Sequence, residues 1–143
     1  INLRTTYGVD GSVAKSIYIP RTFENFGYSN GGWIENYNTS AIVQELKAGY
    51  PLLVGGVDSI AGSHRWLAHG LLTDSISLPI ERPLGVITWL PAIYTYYIYY
   101  NWGMYGEYDG YFLSGVFDTD KPYTGDTRAN FKDTTTIVIN IRK

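Results

Sequence analysis

The 143-residue chain contains no cysteine. These residues alone therefore form no disulfide, no thiolate nucleophile and no Cys-ligated zinc or iron–sulfur site. Histidine is scarce too, represented only by His64 and His69. Five apart on a strand, the two face opposite sides, so one metal ion would not take both; no metal site and no cofactor are expected. Charge is thin, with eleven Lys and Arg against thirteen Asp and Glu and a formal net charge of −2. The basic residues are scattered, so neither nucleic acid nor an anionic membrane is expected as a partner. No stretch reads as a signal or transmembrane segment, and membrane insertion is not expected.

What the chain has in quantity is aromatic residues and glycine: fourteen Tyr, four Trp and sixteen Gly. That mixture suits antiparallel β-structure with tight turns, and Tyr-rich surfaces suit an extracellular setting or a partner interface. The length is about one domain's worth, enough to bury a core without disulfides or metal. The run Ile1 to Tyr7 is strand-like from its first residue, and the chain reads as cut from something longer.

The order of elements follows from the punctuation. Gly8 to Gly11 reads as a turn, and Pro20 falls where a helix can begin, which predicts a short helix from Ile19 to Phe26 closed by Gly27. Tyr28 to Asn38 is rich in Gly and Asn and reads as a loop. Ser40 then caps a helix ending at Gly49 and Pro51. Strands are predicted over Leu52–Val57, His64–Thr73, Tyr94–Trp102, Asp109–Gly115 and Thr134–Ile141, the last with period-two alternation of Ile137, Ile139 and Ile141. Asp58 to Ser63 reads as a small-residue loop and Asp118 to Asp133 as a polar surface loop. Asp74 to Pro91 reads as an insertion, either a flap or a plain surface extension. Two short helices followed by four or five strands imply an α+β domain on a strongly twisted antiparallel sheet or partly closed barrel.

Two places could carry chemistry. His64 follows a loop and opens an apolar strand, a position suited to a general base facing a cleft. The same residue also fits a plainer role, a half-buried histidine bonded to a backbone carbonyl. The second place is Asn101-Trp102-Gly103, where a strand runs into a loop punctuated by Gly103, Gly106 and Gly110. There Asn101 could fix the tautomer of His64, with Trp102 shielding that bond from water; a decorated hairpin without function fits equally. The Gly55-Gly56 pair permits close approach of backbone or ligand.

Several segments, in order, resemble the streptopain group of bacterial papain-like cysteine peptidases. Tyr7-Gly-Val-Asp-Gly-Ser12 resembles its Tyr-Gly-x-x-Gly-Ser segment, and Phe23 to Tyr28 its following helix end. Gln44 to Val57 resembles the helix, turn and strand that precede the catalytic histidine. Ser63-His-Arg-Trp-Leu-Ala-His-Gly70 is similar to Gly-His-Ala-x-x-x-Asp-Gly, and Asn101-Trp-Gly-Met-Tyr-Gly106 to Asn-Trp-Gly-Trp-Gly-Gly. Ser63, His69, Met104 and Tyr105 depart from those patterns.

The resemblance implies a papain-like fold of which this chain is the C-terminal, antiparallel sheet or barrel half with two short helices. It implies that His64 is the catalytic histidine, that Asn101 and Trp102 orient it, and that Gly55, Gly56, Ser63 and Met104 border the substrate cleft. The cysteine nucleophile would lie on an N-terminal segment preceding Ile1, bound tightly to this chain, and the substrate would be a peptide or protein. Secretion or display at a bacterial cell surface is implied in the same way. The absent cysteine, Met104 and Tyr105 motivate the alternative, an inactive peptidase-like module that binds peptides or inhibits a related enzyme.

Overall fold

The computed structural model describes residues 3–9, 11–59, 61–119 and 130–143. The chain opens with a small hairpin, β1 (Thr6–Gly8) and β2 (Gly11–Val13), paired Thr6 to Val13. Of the strand expected over Ile1 to Tyr7, Thr6 and Tyr7 lie in β1 and residues 3–5 do not; Ile1 and Asn2, with Asp10 of the turn, lie outside the described residues. After a short 3-10 turn comes helix α1 (Ile19–Asn25), entered at Pro20 and followed by Gly27 at φ 86°.

Tyr28 to Asn38, expected as a loop, contains a true strand, β3 (Asn30–Asn36). Its glycines are there for close approach, because a β-carbon on Gly31 would collide with the main chain of Pro20 in α1. Composition alone pointed to a loop; packing of helix against strand overrides it. Helix α2 (Thr39–Lys47) is capped by Asn38, whose Oδ1 accepts the Ala41 N–H at 3.2 Å, and not by Ser40. Asn38 has extended backbone angles and Ser40 already lies inside the helix. Ile42 and Val43 of α2 are buried.

The remaining strands are β4 (Leu52–Asp58), β5 (Gly62–Ile76), β6 (Pro79–Arg82), β7 (Val86–Trp89), β8 (Ile93–Asn101), β9 (Gly110–Leu113) and β10 (Asp133–Arg142). Five of them join β3 in one six-stranded sheet, in the order β3-β10-β4-β5-β8-β9, antiparallel throughout, against the four or five strands expected. Alternate residues of its inner face, Leu52 and Val54, Trp66 and Ala68, Ile98 and Tyr100, Ile137 and Ile139, join Ile42 of α2 in the core. The result is an α+β fold, mostly antiparallel sheet with two short helices.

The sheet curls strongly. β3 and β9 stand at its opposite edges. Even so, the Tyr37 hydroxyl, just past β3, lies 2.7 Å from Ser114 Oγ, just past β9, and accepts the Gly115 N–H at 2.9 Å. A flat six-stranded sheet would hold its edges more than 20 Å apart at about 4.8 Å per strand. The barrel is therefore partly closed by side-chain contact.

Asp74 to Pro91, expected as an insertion, begins with the end of β5, which continues to Ile76, and then holds β6 and β7, which pair with each other in a ribbon of their own. Of the tract Asp118 to Asp133, expected as a surface loop, residues 120–129 lie outside the described residues, but Asp118 is fully buried and Phe131 is 2% exposed. The Phe131 ring supplies more apolar area than its polar neighbours can oppose, and it inserts in the core. No helix among the described residues is long and apolar enough to cross a membrane.

Candidate active site

His64 is the third residue of β5 and stands directly across from Gly56 of β4. It shares the inner face with Trp66, and its half-buried ring is walled by three aromatics. The ring centroids lie 6.1 Å from Trp66, 6.3 Å from Trp102 and 5.5 Å from Phe131. Trp66 and Trp102 themselves pack at 4.4 Å and are almost fully buried. Neither indole N–H has an acceptor among the described residues.

The Nε2 atom of His64 lies 2.7 Å from the main-chain carbonyl oxygen of Trp102. A carbonyl only accepts, so Nε2 carries the hydrogen in both the neutral and the charged ring. Proton exchange is thereby assigned to Nδ1. Sequence reasoning offered both the general base and the histidine bonded to a backbone carbonyl; this bond is compatible with both, because an anchored Nε2 is what a directed Nδ1 requires.

The carbonyl is aimed by the loop between β8 and β9. Asn101 ends β8, and its Oδ1 accepts the Gly103 N–H at 2.9 Å. Gly103 follows at φ 73°, a conformation that costs glycine nothing. In this structure the Asn101 side chain thus shapes the turn, and the His64 imidazole is held by the main chain of Trp102. Tyr105, also at positive φ (57°), sits where the similar pattern has Gly.

Gly55, Gly56 and Ser63 line a cleft of about 460 Å³ together with His64, Arg65, Thr134 and Thr136. Met104 does not line it; it is partly buried against the margin of the core. His69 is exposed at a bulge of β5, its ring 4.9 Å from Tyr99. Its odd spacing from His64 puts it on the outer face. Among the described residues no three His, Cys, Asp or Glu side chains cluster as a metal site would require.

Three contributors were not legible in the chain. Arg65 lies over Gly55, donates to Ser16 Oγ, and burial pushes its guanidinium below the ordinary value. Phe131 closes the wall beside His64 from a tract that reads as polar. Asp109 accepts the Trp102 N–H on its Oδ1 at 2.8 Å. Its only signal was an Asp at the far end of a glycine-studded loop, where a β-ladder leaves N–H groups unpaired.

An imidazole held through Nε2 beside a cleft has Nδ1 as the ring atom at which it can exchange a proton. A model of the Peptidase C10 family matches residues 1–112, and the chain belongs to that family, the streptopain family of cysteine peptidases. The match spans His64 and the Asn101 to Gly103 turn. No curated protein matches the chain.

Proposed function

We propose that this chain supplies the histidine of a streptopain-like cysteine endopeptidase to a cysteine carried on another segment, completing a papain-like fold. The supporting observation is the 2.7 Å contact from His64 Nε2 to the Trp102 carbonyl, which leaves Nδ1 for the thiol. In this reading the thiol proton passes to Nδ1, and the thiolate attacks the peptide carbonyl carbon. The imidazolium returns the proton to the leaving amine, and a water deprotonated by Nδ1 hydrolyses the thioester. Gly55, Gly56 and Ser63 border the cleft that takes the peptide, with Arg65 and Phe131 of this chain filling the space over the two glycines; Asn101 and Trp102 orient the ring, and Met104 packs behind the turn. No step needs a cofactor. Membership in this group also supports secretion or display at a bacterial surface.

The test is to combine the chain with the cysteine-bearing segment of the same protein and expose the complex to a thiol-reactive peptide inhibitor. Labelling of the cysteine, lost on His64→Ala, is expected. A complex that holds a cysteine within reach of His64 and ignores the inhibitor at every pH would sink the catalytic reading. A second reading, a peptidase-like module that binds peptide without cleaving it, is favoured by the absence of cysteine from all 143 residues. Peptide binding with no labelling and no turnover would select it.

A further inference from the structure

The Trp102 carbonyl can direct His64 only if the peptide groups on both sides of the Trp102 α-carbon are held. The β8–β9 ladder ends at the pair Tyr100 and Gly110. Beyond it the chain has to turn, and main-chain groups no longer find strand partners. The Trp102 C=O shares its peptide plane with the Gly103 N–H, and that plane is pinned by Asn101 Oδ1 at 2.9 Å. The other plane ends in the Trp102 N–H, and that is pinned by Asp109 Oδ1 at 2.8 Å. The backbone rotations on both sides of the Trp102 α-carbon are thereby restrained, and the carbonyl oxygen is left 2.7 Å from His64 Nε2.

We propose that Asp109 is a positioning residue for His64, acting through the main chain of Trp102. Its catalytic consequence rests on the peptidase reading above, whereas the positioning itself does not. The Trp102 indole is buried on Trp66 and Phe131, which fixes the side chain but leaves the peptide groups to hydrogen bonding. Between Trp102 and Asp109 the loop carries positive φ at Gly103, Tyr105, Gly106 and Tyr108, so local propensity does not hold it in this shape. The Asp109 carboxylate closes the loop. Without it the Trp102 carbonyl swings and His64 loses the partner that keeps its hydrogen on Nε2. Acceptance of the N–H matters here, and an amide oxygen also accepts, so Asn should serve where Ala does not.

The experiment reads the tautomer directly, by ring nitrogen chemical shifts of His64 in the chain labelled with nitrogen-15, with His69→Gln used to assign the two rings. The wild type is expected to hold the neutral ring as one Nε2–H form. Asp109→Ala is expected to give mixed tautomers with the fold retained by circular dichroism, and Asp109→Asn to restore the single form. Should Asp109→Ala fail to fold, Asp109→Glu, which displaces the acceptor by one methylene, takes its place with the same expectation. In the assembled peptidase the displaced variants should lose kcat by about tenfold or more with little change in KM, and Asp109→Asn should recover most of it. A displaced variant with the wild-type tautomer, or an Asn variant as disordered as Ala, overturns the proposal. A complex without any peptidase activity but with the expected tautomer shifts would overturn the catalytic reading of His64 and leave the positioning intact.

Discussion

The main chain of Phe131 occupies the space that a β-carbon on Gly56 would need. Gly56 is the residue paired with His64 across the sheet, and the Phe131 ring is one wall of the His64 site. The absence of one side chain in β4 therefore lets a distant segment reach the imidazole.

Gly56→Ala should cost about 1–3 kcal/mol, since an added methyl meets main-chain atoms that cannot rotate away. It should also raise the solvent exposure of His64. Gly110→Ala is the control: it has open space around it and no positive φ, and its change should stay within about 1 kcal/mol. Urea denaturation compares the two, and equal stabilities would refute the close contact.

Glu45 ties α2 to the last strand. Its two carboxylate oxygens accept from Arg142 Nη2 and Nη1 at 2.9 Å each, and Oε2 also accepts the Asn140 N–H at 3.2 Å. Arg142 in turn lies 3.6 Å over the Tyr50 ring, and its side chain and that of Glu45 are 26% and 13% exposed. A bidentate, half-shielded pair with a main-chain donor exceeds an exposed ion pair, and Glu45→Ala should cost about 2–3 kcal/mol. Glu45→Gln, which retains an acceptor for Asn140, should cost roughly half as much. An alanine variant as stable as the wild type in thermal melts would contradict this.

Burial, helped by the neighbouring Tyr37 hydroxyl, pushes the Tyr100 phenol well above its ordinary value. Below the unfolded-state value of about 10 the phenol is neutral in both states, and its contribution is complete. As pH rises past that value the unfolded chain ionises while the folded one resists, so stability falls. Tyr100→Phe should therefore lose less stability than the wild type between neutral pH and about pH 10.5. At neutral pH the substitution should cost under about 1 kcal/mol, because the bond to Tyr37 is long, at 3.4 Å, and Tyr37 keeps Ser114. Parallel pH dependences for the two proteins would show that Tyr100 does not contribute.

The β6–β7 ribbon should be dispensable for folding. No core residue comes from it, and Leu84 at its tip is fully exposed. Leu90 donates its N–H to the Leu78 carbonyl at 2.9 Å, so an Asn-Gly turn can join these two residues in place of 79–89. The shortened chain should melt within about 4 °C of the wild type, roughly 1 kcal/mol for a domain of this size. A much larger fall would mean that the ribbon packs on the body of the protein.

Much of the fold was legible because it is written locally. Helix α2 declares itself through apolar residues on one face ahead of Gly49, although its cap is Asn38 and not Ser40, and β10 through alternating isoleucines. Strand β3 was hidden because glycine and asparagine favour turns by themselves. Only contact with Pro20 and with β10 makes them a strand. Phe131 was hidden in a polar stretch for the same reason, since burial is decided by what lies opposite in space.

His64 and the Asn101 to Gly103 turn could be picked out from residue types in order, and with them two facts of the chemistry: an imidazole and no thiol. Which nitrogen of the ring is anchored could not be read that way. That depends on a carbonyl 38 residues further along the chain, aimed by Asp109 across a hairpin. Residue identity determined which groups can exchange protons; the tertiary structure decided at which atom, because a hydrogen bond is set by position and direction in space and not by composition.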